Sequence, residues 1–167
     1  MKIGVPKEIK PQENRIGLTP ESVKVLTFSG HEVLIENNGG FEAGFDNDQY
    51  KSAGAKIIDK AEDIFNDAEI IVKVKEPLSN EVKMIRENQI VFTYLHLAAA
   101  KELTKGLIKS KSICIAYETV TDKNGRLPLL APMSAVAGRM SVQAGAHSLE
   151  KNQKGRGLLL GGAPGVE

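Results

Sequence analysis

The chain has 167 residues, 41% of them apolar, and a net charge of +1. This apolar fraction suffices for a hydrophobic core, and the near-neutral charge gives no electrostatic footprint for a nucleic acid or an anionic membrane. A single cysteine, Cys114, excludes an intrachain disulfide. No apolar stretch reaches the length of about 20 residues that a bilayer span needs, and the N-terminus shows no secretory signal. We therefore expect a globular cytoplasmic protein with neither nucleic-acid nor membrane partners.

Strands and helices are predicted to alternate through residue 118. Short apolar segments that favour strands lie at 2–5, 31–36, 55–58, 69–74, 89–95 and 112–118. Segments that favour helices lie between them, at 20–29, 48–54, 60–68, 79–87 and 101–110. Thr19 is expected to cap the first helix, with Pro20 at its first position and Gly30 closing it. Ser79 is expected to cap the fourth helix.

This alternation with short connections predicts an α/β fold. It indicates a parallel sheet of the flavodoxin or Rossmann type with helices on both faces. The strands are almost continuously apolar, as a sheet buried on both faces requires. After Gly125 a proline-punctuated connector leads to a long helix, predicted over 134–152 with Ser134 as its cap. We expect residues 1–133 to form one domain and 134–167 to form a linking helix and the start of another.

Polar side chains follow the predicted strands at one edge of the sheet, where ligands of parallel α/β folds bind. They are Arg15 after the first strand, Lys73 and Lys75 at the end of the fourth, Tyr94 and His96 at the end of the fifth, and Glu118 after the sixth. An arginine matches a carboxylate with a fork of two hydrogen bonds, and a lysine adds a second cation. A histidine exchanges protons near neutral pH. Such a group suits a small 2-oxo or 2-amino acid that gains or loses one proton at its C2 substituent.

Each of these residues also has a structural explanation. Arg15 suits a solvated loop, and Lys73 and Lys75 suit strand-end charges that reach water. His96 suits a packed loop histidine, and Tyr94 suits a packed ring with a bonded hydroxyl. Glu118 would then pair with a neighbouring base.

Motifs for other chemistries are not found in the sequence. Gly155 and Gly157 lack the third glycine and the preceding strand of a dinucleotide fingerprint. There is no phosphate loop and no nucleophile elbow. His31 and His147 have no ligand partner at a useful spacing, so no metal site is predicted.

Several long segments together resemble one family. They are MKIGVPKEIK, ENRIGLTPESVKVL and GHEVLIENNGG near the start, IIVKVKEPL in the middle, and VFTYLHLA, AYETV, LPLLAPMSAVAGRMSVQAGA and LLLGGAPGVE after it. On these motifs the sequence resembles the alanine dehydrogenases, in the family shared with the α chain of proton-translocating NAD(P) transhydrogenase. The transhydrogenase chain is the weaker match, because it typically lacks the residues that correspond to His96 and Lys75.

The resemblance implies an activity and site residues. Alanine dehydrogenases use NAD to interconvert L-alanine with pyruvate and ammonium, and they join a substrate domain to a Rossmann domain. By motif, Arg15 of ENRIGLTP and Lys75 of KVKEP would hold the substrate carboxylate, with Tyr94 also contacting substrate. His96 of TYLHLA would be the acid/base.

The cofactor and the assembly follow from the same resemblance. Ser134 of APMS and its neighbour Met133 would contact NAD, and residues 134–167 would begin the NAD-binding domain. The family implies a homo-oligomer, a hexamer. Because the sequence stops before a glycine-rich fingerprint, we expect a truncated chain that is inactive alone in hydride transfer, or one that works with a complementing C-terminal chain. The alternatives are a stand-alone module that binds small carboxylates and a non-functional remnant.

Overall fold

A computed structural model describes residues 1–166, which divide into two compact units. The first spans Met1–Val120, and the second begins at Thr121. The first unit holds a six-stranded sheet and its helices, and the second holds one long helix followed by short turns. In residues 1–166, no helix is both long and apolar enough to cross a membrane.

All neighbouring strands of the sheet run parallel. The strands are β1 (Lys2–Val5), β2 (Glu32–Glu36), β3 (Lys56–Ile58), β4 (Ile70–Val72), β5 (Ile90–Thr93) and β6 (Ile113–Ala116). Their order across the sheet is β3-β2-β1-β4-β5-β6. Strands β2 and β3 lie on one side of β1, and β5 and β6 lie on the far side of β4. The strand order therefore reverses between β1 and β4, and a crevice opens at the carboxyl ends of these two strands. The predicted α/β parallel-sheet fold is confirmed.

Helices lie between successive strands, and a further helix follows the last strand. They are α1 (Pro20–Phe28), α2 (Asn47–Ser52), α3 (Ala61–Asp67), α4 (Ser79–Val82), α5 (Lys101–Ser110) and α6 (Ala131–Leu149). Short 3₁₀ turns lie at Phe41–Ala43, Leu97–Ala99, Tyr117–Thr119 and Lys151–Gln153. The predicted start of α1 is confirmed, since the Thr19 side chain accepts a hydrogen bond from the Ser22 N–H. At the other end Gly30 follows the helix with a φ of 83°.

Two apolar cores cover the two faces of the sheet. In β2 the side chains of Val33 and Ile35 enter one core with Val23 of α1 and Tyr50 of α2. Leu34, which lies between them, points into the other core with residues of α3 and α5. This period of two, with burial on both sides, explains why the central strands are apolar throughout.

The outermost strands depart from the prediction of burial on both faces. Ile113 and Ile115 of β6 are 50% and 41% exposed. An edge strand has a neighbour on one side only, so its outer side chains receive less cover.

Gly4 of the central strand β1 is packed closely by α3: a Cβ there would lie 2.6 Å from Ile64 and 2.7 Å from Ala68. Glycine therefore lets α3 pack directly on the central strand.

Two helix predictions are wrong in their boundaries. The fourth helix ends at Val82 rather than continuing to residue 87, and Ser79 is its first residue rather than its cap. The Arg86 side chain instead donates to the carbonyls of Phe65 and Ala68 at the end of α3, at 3.1 and 2.7 Å. These tertiary hydrogen bonds replace the missing helical turns.

The long helix also begins earlier than predicted. It starts at Ala131, so Ser134 lies inside the first turn and donates its hydroxyl to the Leu130 carbonyl at 3.4 Å. Pro132 explains the shift, because proline lacks an N–H and suits the first turn of a helix. The predicted capping role of Ser134 is therefore wrong.

Lys73 is fully buried, so the alternative that it is a strand-end charge reaching water is wrong. Its ammonium lies 3.1 Å from Glu8 Oε2 and 2.8 Å from Glu81 Oε1, and both carboxylates are buried as well. Glu81 also accepts a hydrogen bond from the Leu78 N–H at 2.8 Å. We call Glu8, Lys73 and Glu81 the buried ionic cluster.

Replacing Lys73 with Met leaves two buried carboxylates without a cation. Because an unpaired buried charge is costly, we expect Lys73→Met to lower the free energy of unfolding by about 3–5 kcal/mol. Urea denaturation measures this loss. The control Lys51→Met removes an exposed pair with Asp48 and should cost less than about 1 kcal/mol. Equal stability of the two variants would contradict the assigned role of the cluster.

Candidate active site

The side chains predicted for the site lie beyond the carboxyl ends of the strands. Lys75 follows β4, Tyr94 and His96 follow β5, and Arg15 lies in the segment between β1 and α1. Arg15 and His96 are exposed, Lys75 is half-buried, and Tyr94 is buried.

The backbone at Lys75 is fixed from two sides. Glu8 Oε1 accepts hydrogen bonds from the N–H groups of Val74 and Lys75, at 2.6 and 3.2 Å. Thr93 at the end of β5 donates its hydroxyl to the Lys75 carbonyl at 2.9 Å. The buried ionic cluster therefore positions Lys75 through Glu8. The ion pairs of the neighbouring carboxylates Glu8, Glu13 and Glu76 in residues 1–166 are with Lys73, Arg15 and Lys10 rather than with Lys75.

Arg15 is held by a carboxylate that the sequence analysis missed. Its Nε and Nη2 donate to the two oxygens of Glu13 at 2.8 and 2.7 Å. The Arg15 N–H also donates to Glu13 Oε1, at 2.9 Å. The hydrogen bond from Arg15 is the main reason that the pKa of Glu13 falls to about 2, and the Lys75 ammonium contributes to this shift. Glu13 is therefore a carboxylate beside both predicted substrate-binding cations.

Aromatic rings pack against one another beside His96. The Tyr94 ring packs edge-on against Tyr117, with centroids 4.9 Å apart, and lies nearly parallel to the His96 ring at 6.2 Å. Tyr117 in turn packs edge-on against Phe92 at 4.3 Å. Burial raises the pKa of the Tyr117 hydroxyl, with smaller contributions from Tyr94 and Glu8. These contacts limit the orientations of the His96 ring.

The backbone of His96 is in the left-handed region, with a φ of 49°. That conformation is uncommon for a residue other than glycine. Glu118, from the turn after β6, stabilises it: Oε1 accepts hydrogen bonds from the N–H groups of Leu95 and His96 at 3.1 and 2.7 Å. Burial alone would raise the pKa of Glu118, but these backbone donors and the nearby His96 lower it overall. Glu118 therefore holds the segment that presents His96, rather than pairing with a basic side chain.

A second carboxylate, Glu76, lies close to His96. It forms an ion pair with Lys10, and its Oε2 atom is buried without a hydrogen-bond partner among residues 1–166. Burial alone would raise the pKa of Glu76, but Lys10 and, more weakly, His96 lower it. His96 thus has Glu76 and Glu118 in its electrostatic surroundings.

The structure brings the residues of the first unit together. Tyr94 interacts electrostatically with Arg15, Lys75 with Glu13, and Tyr94 stacks on His96. Ser134 and Met133 belong to the second unit, in the first turn of α6, and their role as NAD contacts stays a prediction. Among residues 1–166, no group of three or more His, Cys, Asp or Glu side chains is placed to hold a metal ion.

Comparisons with known proteins match most of the chain to one family. A family model described as "Alanine dehydrogenase/PNT, N-terminal domain" matches residues 4–137. The chain belongs to this family. The resemblance inferred from the motifs is thereby confirmed.

Curated alanine dehydrogenases match the whole chain. The proteins from Halomonas elongata and Methanococcus maripaludis are 55% and 52% identical to it, over 99% and 100% of its length. The chain spans 45% of the length of each of these relatives. The chain as a whole therefore corresponds to less than half of each of those proteins.

Two solved structures agree with the fold. An L-alanine dehydrogenase covers 100% of this chain at 54% identity, with a TM-score of 0.86, and the match takes in 46% of that protein. A transhydrogenase from Sinorhizobium meliloti covers 74% of the chain at 25% identity, with a TM-score of 0.69, and the match takes in 35% of that protein. Both structures therefore share the fold of the part of this chain that they match.

Four residues of the site escaped the sequence analysis: Glu8, Glu13, Glu76 and Tyr117. Glu13 stands two positions before Arg15 and Glu76 directly follows Lys75, but charged residues in loops usually contact only water. Proximity in sequence to Arg15 and Lys75 was the one available signal. The partners of Glu8, Glu76 and Tyr117 come from separate segments of the alanine dehydrogenase/PNT domain, and only folding reveals such pairs.

The pKa of Glu13 gives a pH-dependent prediction. Because the folded-state pKa of about 2 lies below the ordinary value of 4.5, the pair with Arg15 contributes its full stability above pH 4.5, and this contribution is lost as the pH falls toward 2. In Arg15→Gln the main cause of the shift is gone, so the pKa of Glu13 should rise from about 2 toward its ordinary value. NMR of the side-chain carboxyl carbon measures this, with Lys51→Gln as the control. An unchanged titration in Arg15→Gln would contradict the pairing.

Removing the Glu118 carboxylate should loosen the His96 segment. In Glu118→Ala the N–H groups of Leu95 and His96 lose their acceptor, so we expect their amide hydrogens to exchange about tenfold faster. Hydrogen exchange followed by NMR measures both amides. Glu118→Gln keeps a carbonyl oxygen and should retain part of the protection. Unaltered exchange in Glu118→Ala would show that Glu118 does not hold this backbone.

Proposed function

We propose that this chain provides the substrate-binding part of an NAD-dependent alanine dehydrogenase, which interconverts L-alanine with pyruvate and ammonium. The observation that carries the proposal is the placement of two cations, Arg15 and Lys75, around Glu13 at the same sheet edge as His96. Membership of the alanine dehydrogenase/PNT family and the names of the matched relatives support it.

Arg15 and Lys75 would hold the substrate carboxylate. A guanidinium forms directional hydrogen bonds to a carboxylate, and an ammonium adds a point charge. Glu13 orients Arg15, and Glu8 with Thr93 fixes the Lys75 backbone. A site whose binding groups are held before the substrate arrives loses less entropy on binding.

His96 would exchange a proton with the oxygen or nitrogen on C2 of the substrate. Its side chain is exposed, and the imidazole can pass protons to water. The nearly parallel Tyr94 ring limits its orientation, and Glu118 sets its backbone. L-Alanine and pyruvate differ at C2, so this is the atom at which an acid/base group acts.

NAD would accept or supply the hydride in this reaction. The family resemblance assigns Ser134 and Met133 to NAD, and Ser134 lies in the first turn of α6, where helix N–H groups favour an anion. The segment around Gly155 and Gly157, however, forms no strand, glycine turn and helix of the dinucleotide type in residues 1–166. The described residues by themselves therefore do not fit a complete NAD site.

A homo-oligomer, in the family a hexamer, is part of the proposal. Helix α6 has no buried residue, and Val136, Met140 and Val142 are 57%, 57% and 61% exposed. Apolar side chains along one helix favour cover by another protein surface. That surface would come from further copies of the chain or from a complementing C-terminal chain, and light scattering of the purified protein distinguishes these cases from a monomer.

A stand-alone module that binds small carboxylates is the second candidate. The observation that favours it is the contrast between a well-held carboxylate site in Met1–Val120 and the incomplete dinucleotide unit in the residues after it. Such a module would bind pyruvate without any effect of NADH. A non-functional remnant would bind neither ligand and would lack a cooperative unfolding transition.

Substitutions in the site should separate binding from proton transfer. Lys75→Ala and Arg15→Ala each remove a cation, so pyruvate binding to the 167-residue chain should weaken at least about tenfold. His96→Gln leaves both cations and should change the affinity less than about threefold. Calorimetry or NMR titration measures the dissociation constants, and Lys51→Ala is the control. Equal losses in Lys51→Ala and Lys75→Ala would contradict the site.

Turnover is tested separately. NADH oxidation with pyruvate and ammonium is measured for the purified chain beside Lys75→Ala. Turnover that disappears in the variant would support alanine dehydrogenase activity of this chain by itself. Pyruvate binding without turnover would favour the carboxylate-binding module under these conditions.

A further inference from the structure

Glu13 is the carboxylate that binds the Arg15 guanidinium. Although it lies in a loop, its side chain is only 7% exposed. Three hydrogen bonds from Arg15, two from the guanidinium and one from the backbone, converge on its two oxygens. A loop carboxylate that is this well ordered beside a substrate-binding arginine affects what that arginine can bind.

The charge balance around Arg15 and Lys75 shows the effect. Each of these side chains brings one positive charge, and Glu13 brings one negative charge, because its pKa of about 2 keeps it ionised near neutral pH. The three groups together have a net charge of +1. A single substrate carboxylate neutralises that charge, whereas two carboxylates exceed it.

The neighbouring carboxylates are committed to other partners. Glu8 pairs with the buried Lys73 and accepts two backbone N–H groups. Glu76 pairs with Lys10, and Glu118 accepts the N–H groups of Leu95 and His96. Glu13, by contrast, bonds directly to the side chain of Arg15, one of the two cations proposed to bind substrate.

We propose that Glu13 is a specificity-determining residue, which makes the site select monocarboxylic 2-oxo acids over dicarboxylic ones. This inference rests on the proposed function, since it concerns the substrate class of the same site. A dicarboxylic acid would bring a second negative charge to a site where Glu13 already offsets one of the two cations. Specificity of this kind comes from repulsion of the competitor as well as from attraction of the substrate.

Three ligands separate charge from size. Pyruvate is the small monocarboxylate, 2-oxoglutarate is the dicarboxylate, and 2-oxopentanoate has the chain length of 2-oxoglutarate with one carboxylate. Dissociation constants for the 167-residue chain are measured by calorimetry or NMR titration. The readout is the ratio of the constants for 2-oxoglutarate and 2-oxopentanoate.

Two variants at the same position separate charge from geometry. Glu13→Gln removes the charge and keeps the length, so the ratio should shift about tenfold in favour of 2-oxoglutarate. Glu13→Asp keeps the charge but shortens the reach to Arg15, so it should weaken all three ligands and leave the ratio within about twofold. Glu42→Gln, which removes an exposed carboxylate in a 3₁₀ turn, should change nothing.

The outcomes distinguish the two levels of the proposal. If the ratio is the same in Glu13→Gln and in the unmodified chain, or moves equally in Glu13→Asp, the specificity role is overturned while Lys75-dependent pyruvate binding still supports the proposed function. If pyruvate does not bind, or binds equally well to Lys75→Ala, the proposed function itself fails. Thermal unfolding of each variant checks that the changes do not come from loss of the fold.

Discussion

The buried ionic cluster is the constraint on which the site depends. Lys73 is fully buried between Glu8 and Glu81, and charges are stable there only when they are paired and hydrogen-bonded. The cluster joins the segment after β1, the end of β4 and the start of α4. Because Glu8 also accepts the N–H groups of Val74 and Lys75, the same interaction sets where the Lys75 side chain begins.

Carboxylates play the same part elsewhere in the site. Glu13 orients the Arg15 guanidinium, and Glu118 holds His96 in a left-handed backbone conformation. In each case an acidic residue, itself outside the proposed chemistry, fixes the position of a basic group. Glu13 and Arg15 lie in one loop, whereas Lys75 and His96 follow strands of a packed sheet, so the site combines loop residues with a rigid frame.

The sequence predicted the frame well and the contacts of its charges poorly. The alternation of apolar segments led to the parallel sheet, and Thr19, Pro20 and Gly30 marked the first helix. The positions of Arg15, Lys75, Tyr94 and His96 beyond the strand ends followed from the same pattern. The burial of Lys73 and the early end of α4 did not follow from this pattern, because both depend on tertiary contacts. The position of Ser134 inside α6 did not follow either, because the prediction gave the capping pattern more weight than the proline.

The sequence by itself determined the fold class, because hydrophobic periodicity and local capping act between near neighbours in the chain, and its motifs identified the family. Only the tertiary structure decided that Lys73, the first lysine of the KVK segment, is a buried structural ion. It also decided that Glu8 holds the backbone N–H groups of Val74 and Lys75. Such pairings depend on burial and on the competition between water and protein partners, which is resolved only when distant segments pack together.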